Sequence, residues 1–249
     1  MNQRRPSVRN IKLTIEYDGT DFCGWQKQPK VRTVEGELLV VLRDLLGFEP
    51  EIIAAARTDS GVHALGQVVN FSSISPMSPA DLANALNALL PPDVRIVGSE
   101  EVPLAFNARF DATKRTYRYE IATRPTSIWR RYRWYVKWHL DYGAISRAMA
   151  LLVGDNDFSA FTSKDEDRSP WISLKEARLE PIEPGGVALI FSANRFLRKM
   201  VRMLTGTLVE VGRGKLAPDA IYDILASRDR SRAGPCAPPH GLYLVGVEY

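Results

Sequence analysis

Asp59 is the acid whose setting in the sequence most resembles a reactive group. It stands in Arg57-Thr58-Asp59-Ser60-Gly61-Val62-His63, a polar loop between the apolar runs EIIAAA (51–56) and QVVNF (67–71). Asp-Ser-Gly is also a common turn in which aspartate bonds its own backbone, so the local pattern alone favours a structural part. A carboxylate that acts as a nucleophile must stay ionised, and a neighbouring arginine lowers its pKa by ~1–3 units. Arg57 is close in sequence, and a basic stretch at 195–202 could supply a second cation. His63 is read as a loop histidine hydrogen-bonded to backbone.

Other chemistries fail on counting. His63, His139 and His240 lie far apart, and neither Cys23 nor Cys236 has a second cysteine near it. His240 follows Cys236 across Ala237-Pro238-Pro239, but no further ligand is in reach, so no metal site is expected. There is no G-x-S-x-G elbow, no phosphate loop ending in G-K-[ST], and no G-x-G-x-x-G after the first strand. What remains is acids, arginines and aromatics, with no cofactor expected. Two cysteines in 249 residues exclude a disulfide framework and point to a reducing compartment. No apolar run approaches the ~20 residues of a membrane span. The basic opening MNQRRPSVRN leads into no apolar segment, so a signal peptide is not expected. A cytoplasmic protein with no membrane partner is expected.

The net charge of +4 is mild, but its distribution is uneven. Residues 109–139 hold nine Lys or Arg, eight aromatics and only two acids, Asp111 and Glu120. Cations track phosphates, and flat rings stack on unpaired bases at ~1–3 kcal/mol each. The same composition also suits a solvated sheet face with its aromatics on the core side. A second basic stretch begins at Asn194, where Arg195, Arg198, Lys199 and Arg202 fall at helical spacing opposite Phe196, Met200 and Met203. Together the two tracts favour a nucleic-acid partner without settling it.

The elements that must position these residues follow from periodicity. Ile11, Leu13, Ile15 and Tyr17 alternate with polar residues as a half-buried strand. Residues 33–46 place Val34, Leu38, Val41, Leu42 and Leu45 on one helical face, with Thr33 as N-cap and Gly47 as C-cap. Strands are expected at 51–56 and 67–71. Ser78-Pro79-Ala80-Asp81 opens a second helix that Pro91-Pro92 stops, and 94–102 closes this half as a strand. The order is β-α-β-β-α-β. The second half offers strands at 115–121, with Tyr117, Tyr119 and Ile121 on one face and Arg118 and Glu120 on the other, and at 132–138. Asp141 caps a helix stopped by Gly154; strands follow at 172–180 and 187–192, turned by Glu183-Pro184-Gly185-Gly186. A helix is expected from Asn194, a shorter one from Pro218, and a last strand at 242–249. The expected fold is α+β: two ferredoxin-like (RRM-like) halves, 1–105 and 106–249, with mostly antiparallel sheets flanking a central active-site cleft.

These residues carry a resemblance. The chain is similar over nearly its whole length to the tRNA pseudouridine synthase A family. Tyr17-Asp18-Gly19-Thr20-Asp21-Phe22-Cys23-Gly24-Trp25-Gln26 resembles the family's opening motif, and Arg57-Thr58-Asp59-Ser60-Gly61-Val62-His63-Ala64 its catalytic motif. Phe106-Asn107-Ala108-Arg109 with Lys114-Arg115-Thr116-Tyr117-Arg118-Tyr119 matches a third. Phe196-Leu197-Arg198-Lys199-Met200-Val201-Arg202 and Ala237-Pro238-Pro239-His240-Gly241-Leu242-Tyr243-Leu244 match a fourth and a fifth. The resemblance implies that Asp59 is the catalytic aspartate and that Arg202 pairs with it. It also implies that Tyr117 stacks on the target uracil, Arg57 displaces the target nucleotide, and Leu244 lines the pocket. A cofactor-free homodimer acting on uridines 38, 39 and 40 of the tRNA anticodon stem-loop is implied as well. Ala56 stands where the family usually has glycine, and a positive φ there would be costly. Ser60 stands where alanine is common. The stretch 163–171 is short and acidic, with Trp171 in place of a smaller residue.

Such a reaction breaks the bond from C1′ to N1 of uridine, turns the freed base and rejoins it through C5. As an internal isomerisation it needs no metal or nucleotide. Asp59 would act as a nucleophile on base or sugar, or as the base that removes a sugar proton; the sequence leaves these open. The leading rival is a non-catalytic RRM-like RNA-binding protein displaying Tyr117 and Tyr119. A weaker rival is a small-molecule enzyme.

Overall fold

In the computed structural model residues 7–163 and 169–249 are described; most of the basic opening segment and the centre of the acidic 163–171 stretch lie outside them. The described residues form an α+β fold of ten strands and five helices, with mostly antiparallel pairing. They divide into two compact units, the first running to Ala112 and taking in Leu244–Tyr249, the second lying within Thr113–Tyr243.

The first unit has the expected element order: β1 (Arg9–Tyr17), α1 (Val34–Leu46), β2 (Ile53–Ala54), β3 (His63–Ser73), α2 (Pro79–Leu89) and β4 (Val94–Val102). β1 lies antiparallel between β3 and β4, and β2 is antiparallel to β3. Both helix starts are where local chemistry puts them. Thr33 accepts from Gly36 N, and Gly47 ends α1 at φ 79°, a left-handed conformation glycine adopts without a Cβ clash. The Ser78 hydroxyl accepts from Asp81 N (3.1 Å) and donates to the Asp81 carboxylate (2.7 Å), capping the helix with Pro79 in its first turn. β2 is shorter than the expected 51–56. Ala55 N still donates to Val68 O (2.8 Å), and at Ala56 a side chain replaces the ladder: Gln67 Nε2 donates to Ala56 O (2.8 Å) and Gln67 Oε1 accepts from Ala56 N (3.3 Å).

The second unit contains β5 (Lys114–Ala122), β6 (Trp134–Tyr135), α3 (Tyr142–Ala150), β7 (Gly154–Asp157), β8 (Trp171–Ile182), β9 (Gly186–Ala193), α4 (Met200–Gly212) and α5 (Ala220–Ser227). The sheet order is β5-β9-β8-β7, antiparallel throughout, with β6 parallel to β5. The last strand, β10 (Leu242–Glu248), runs from this unit into the first. Asp141 caps α3 through Ala144 N as expected.

Two expectations need correction here. Only Trp134–Tyr135 of 132–138 is strand: Trp129–Arg131 is a 3₁₀ turn, and Tyr132 N and Arg133 N both bond to Trp129 O. The helix expected from Asn194 begins at Met200. Lys199 sits at φ 62°, which no helix accommodates, and Asn194 Oδ1 accepts from Ser173 N and Arg195 N. Arg195, Arg198 and Lys199 therefore precede the helix, and only Arg202 lies on it.

Candidate active site

The Asp59 loop is held by the opening motif. Trp25 N donates to Thr58 O (3.1 Å), and Gly61 N donates to Phe22 O (3.2 Å), as does the Ser60 hydroxyl (3.2 Å). The Tyr17 and Thr58 hydroxyls meet at 2.7 Å in a buried setting. Val62 N closes a turn on Asp59 O at 3.2 Å. Backbone bonds thus fix both sides of Asp59, whose side chain is half-buried beside an exposed Arg57. Phe22 is pinned in turn, since the Arg32 guanidinium lies 4.1 Å over its ring and bonds both oxygens of Asp93. That bond to Asp93 holds Arg32 above its already high pKa.

Two glycines make this contact possible. A Cβ on Gly19 would lie 2.0 Å from Val62 O, and one on Gly24, at φ 93°, would lie 2.9 Å from Thr58 O. Gly24→Ala is expected to cost about 1–3 kcal/mol of stability, from left-handed strain and from displacing Thr58. It should lower turnover through the Asp59 loop. Urea unfolding and initial rates measure the two effects. Ala56 needs no such freedom, for it is not among the residues with positive φ, and Gln67 satisfies its backbone.

His63 is the first residue of β3 rather than part of the loop. It is buried at 2% exposure, and its Nδ1 accepts from Gly19 N at 3.0 Å, the backbone bond expected of it. Leu244 is fully buried on β10.

In the second unit Tyr117 and Tyr119 share one face of β5. Tyr117 pairs with Phe191 across β9 and meets the Phe196 ring edge-on at 4.9 Å. Tyr119 is wholly buried and donates to Pro238 O at 2.7 Å. Burial pushes its hydroxyl well above the ordinary tyrosine pKa, an effect the Arg202 charge partly opposes. Arg202 is tied to the same segment: its Nε donates to Ala237 O (2.8 Å) and its carbonyl accepts from Ala237 N (3.0 Å). Tyr119, at 0% exposure, offers no ring face and Tyr117 keeps 7%, so the two do not form the paired open platform of an RRM.

The basic tract 109–139 is not one surface. Arg133 is buried on Glu120 (2.8 Å) and on the Glu183 carbonyl (2.8 Å), and Arg118 reaches the other oxygen of Glu120 at 2.7 Å. Arg115 is buried on Asn194 O. Arg124, Arg130, Arg131 and Lys137 are exposed. The sequence reading missed Gln67 and Asn70, the two polar residues of the otherwise apolar run 67–71; such interruptions are the signal that could have found them. It also missed the part of Glu120 as the shared partner of two arginines.

The family model for tRNA pseudouridine synthase matches residues 13–111 and 148–249. The chain belongs to the tRNA pseudouridine synthase family. Arg57, Asp59, Arg202 and Leu244 lie within the matched spans of this synthase, and Tyr117 lies between them. Its relatives include the tRNA pseudouridine synthase A of Caldicellulosiruptor bescii, 41% identical over 97% of this chain and 100% of that protein. Those of Acetivibrio thermocellus and Roseiflexus castenholzii are each 42% identical over 97% of this chain, covering 100% and 91% of the relative. Synthases of this family are isomerases that act on tRNA. Among the described residues of this one, no helix is long and apolar enough to cross a membrane.

Proposed function

We propose that this synthase converts uridines 38, 39 and 40 of the tRNA anticodon stem-loop to pseudouridine, with Asp59 as the essential carboxylate. The observation that carries the reading is the clamp on the Asp59 loop. Trp25 N on Thr58 and Phe22 O on Ser60 and Gly61 hold its backbone, so the half-buried carboxylate has a fixed origin. Pre-set geometry of this kind suits a group that must meet one atom of a flipped nucleotide.

Extrusion of the target uridine costs a few kcal/mol of pairing and stacking. Arg57, exposed at the loop, fills the vacated space, and Tyr117 packs on the uracil. Arg202 keeps Asp59 ionised, and Leu244 supplies an apolar wall. The C1′–N1 bond breaks, the base turns, C1′–C5 forms, and the C5 proton leaves while N1 takes one up. Atoms and electrons balance without a cofactor. The same reading gives two ferredoxin-like halves, 1–105 and 106–249, flanking the cleft, and a cytoplasmic homodimer.

The RNA-binding rival needs Tyr119 as an open stacking face, which its full burial denies, and it leaves the clamped aspartate without use. An unmodified tRNA transcript with anticodon-arm uridines, incubated with the protein and no additive, tests the proposal. Pseudouridine at 38 to 40 is expected. Pseudouridine elsewhere would overturn the site assignment and keep the chemistry.

A further inference from the structure

Phe110 is the most exposed aromatic ring among the described residues, at 75% exposure. Its backbone is the opposite of loose. Every N–H from Phe106 to Asp111 has an acceptor, although the segment is neither helix nor strand. Phe106 N donates to Pro103 O (2.9 Å), Asn107 N to Asp111 Oδ2 (2.9 Å), and Ala108 N to Asn70 Oδ1 (2.8 Å). Arg109 N and Phe110 N both donate to Asn107 Oδ1 at 3.0 Å, and Asp111 N donates to Asn107 O at 3.0 Å.

The turn is also bolted to the sheet beneath it. Asn70 and Asn10 are both 3% exposed and bond each other at 2.9 Å. Each also donates to Phe106 O, at 3.2 and 3.0 Å, and the Tyr249 hydroxyl donates to Ala108 O at 3.0 Å. Two amides are buried between β1 and β3 to hold this turn, and burying amides is costly unless they are fully bonded. The turn holds the ring out to solvent, with the Arg109 guanidinium over it at 5.2 Å from its centroid.

We propose that Phe110 and Arg109 form a stacking subsite for an unpaired base of the RNA substrate. The inference rests on the reading of the chain as a tRNA-modifying enzyme. An aromatic face offers stacking to any base, a guanidinium beside it adds cation–π and phosphate attraction, and a ring on a fixed turn loses little freedom on binding. A single ring flanked by charged Arg109 and Asp111 suits one base better than an apolar protein surface.

Phe110→Ala, Phe110→Leu and Phe110→Tyr test it, with binding of an unmodified tRNA transcript and steady-state kinetics read together. Alanine and leucine should raise the tRNA dissociation constant and KM about five- to a hundredfold with kcat unchanged, and tyrosine should restore both. Unchanged affinity in Phe110→Ala would overturn the subsite. So would leucine serving as well as phenylalanine, or a change in oligomeric state, which would mark the ring as a contact between copies of the chain. Phe110-dependent tRNA binding by a wild type that forms no pseudouridine would remove the enzymatic reading and leave the subsite standing.

Discussion

Asp59→Ala is expected to lower pseudouridine formation by at least about a thousandfold, ~4 kcal/mol in the barrier, with tRNA affinity within a fewfold of wild type. Fold should survive, because bonds that hold the loop run through the Thr58, Asp59 and Gly61 backbones and the Tyr17, Thr58 and Ser60 hydroxyls. Asp59→Asn should be as inactive, since an amide of the same shape can neither attack nor accept a proton as the carboxylate does. Single-turnover rates with excess enzyme separate this loss from weakened binding. A variant that kept a tenth of wild-type turnover would return Asp59 to the ordinary turn that its Asp-Ser-Gly setting first suggests.

Gly206→Ala should be among the most damaging single substitutions for stability. Its Cβ would fall 1.7 Å from Pro235 O and 2.8 Å from the carbonyl carbon, a backbone clash that no side-chain rotation relieves. The contact is reciprocal, for a Cβ on Gly234 would lie 2.7 Å from the Thr207 Cα. Thr207 Oγ1 accepts from Gly234 N at 2.8 Å, and three residues on Ala237 is tied to Arg202 in both directions. Pushing 234–237 off α4 therefore breaks the bonds that orient Arg202. We expect a loss of about 3 kcal/mol, or ~6–12 °C in Tm for a chain of this size, together with reduced turnover. Gly246→Ala, which meets nothing within 4 Å, is the control and should stay near wild type. Thermal unfolding of the three proteins decides it.

What the sequence revealed, it revealed through local chemistry. Thr33 and Gly47 bound α1, and Ser78, Pro79 and Asp81 open α2, because a cap is a bond between residues three apart. The face of β5 carrying Tyr117, Tyr119 and Ile121 followed from strand alternation. What stayed hidden depends on distant partners. Nothing in a lysine announces φ 62°, so the apolar spacing alone puts the start of α4 six residues early. β2 stops at Ala54 because an amide on β3, Gln67, takes over the backbone of Ala56. Arg133 and Arg115 read as surface cations, and Glu120 and the Asn194 carbonyl bury them. The Asp59 loop shows the limit most plainly. Its own residues spell a turn, and the groups that clamp it, from Tyr17 to Trp25, stand over thirty residues earlier and were linked to it only by resemblance.

The most direct test of the central claim follows the C5 hydrogen. A tRNA transcript carrying tritium at C5 of its uridines is incubated with wild type or Asp59→Ala, without cofactor, and released tritium is counted against pseudouridine formed at 38 to 40. Wild type should release one tritium for each pseudouridine, and Asp59→Ala none above background while still binding the transcript. A well-folded wild type that binds the tRNA and releases no tritium would contradict the account.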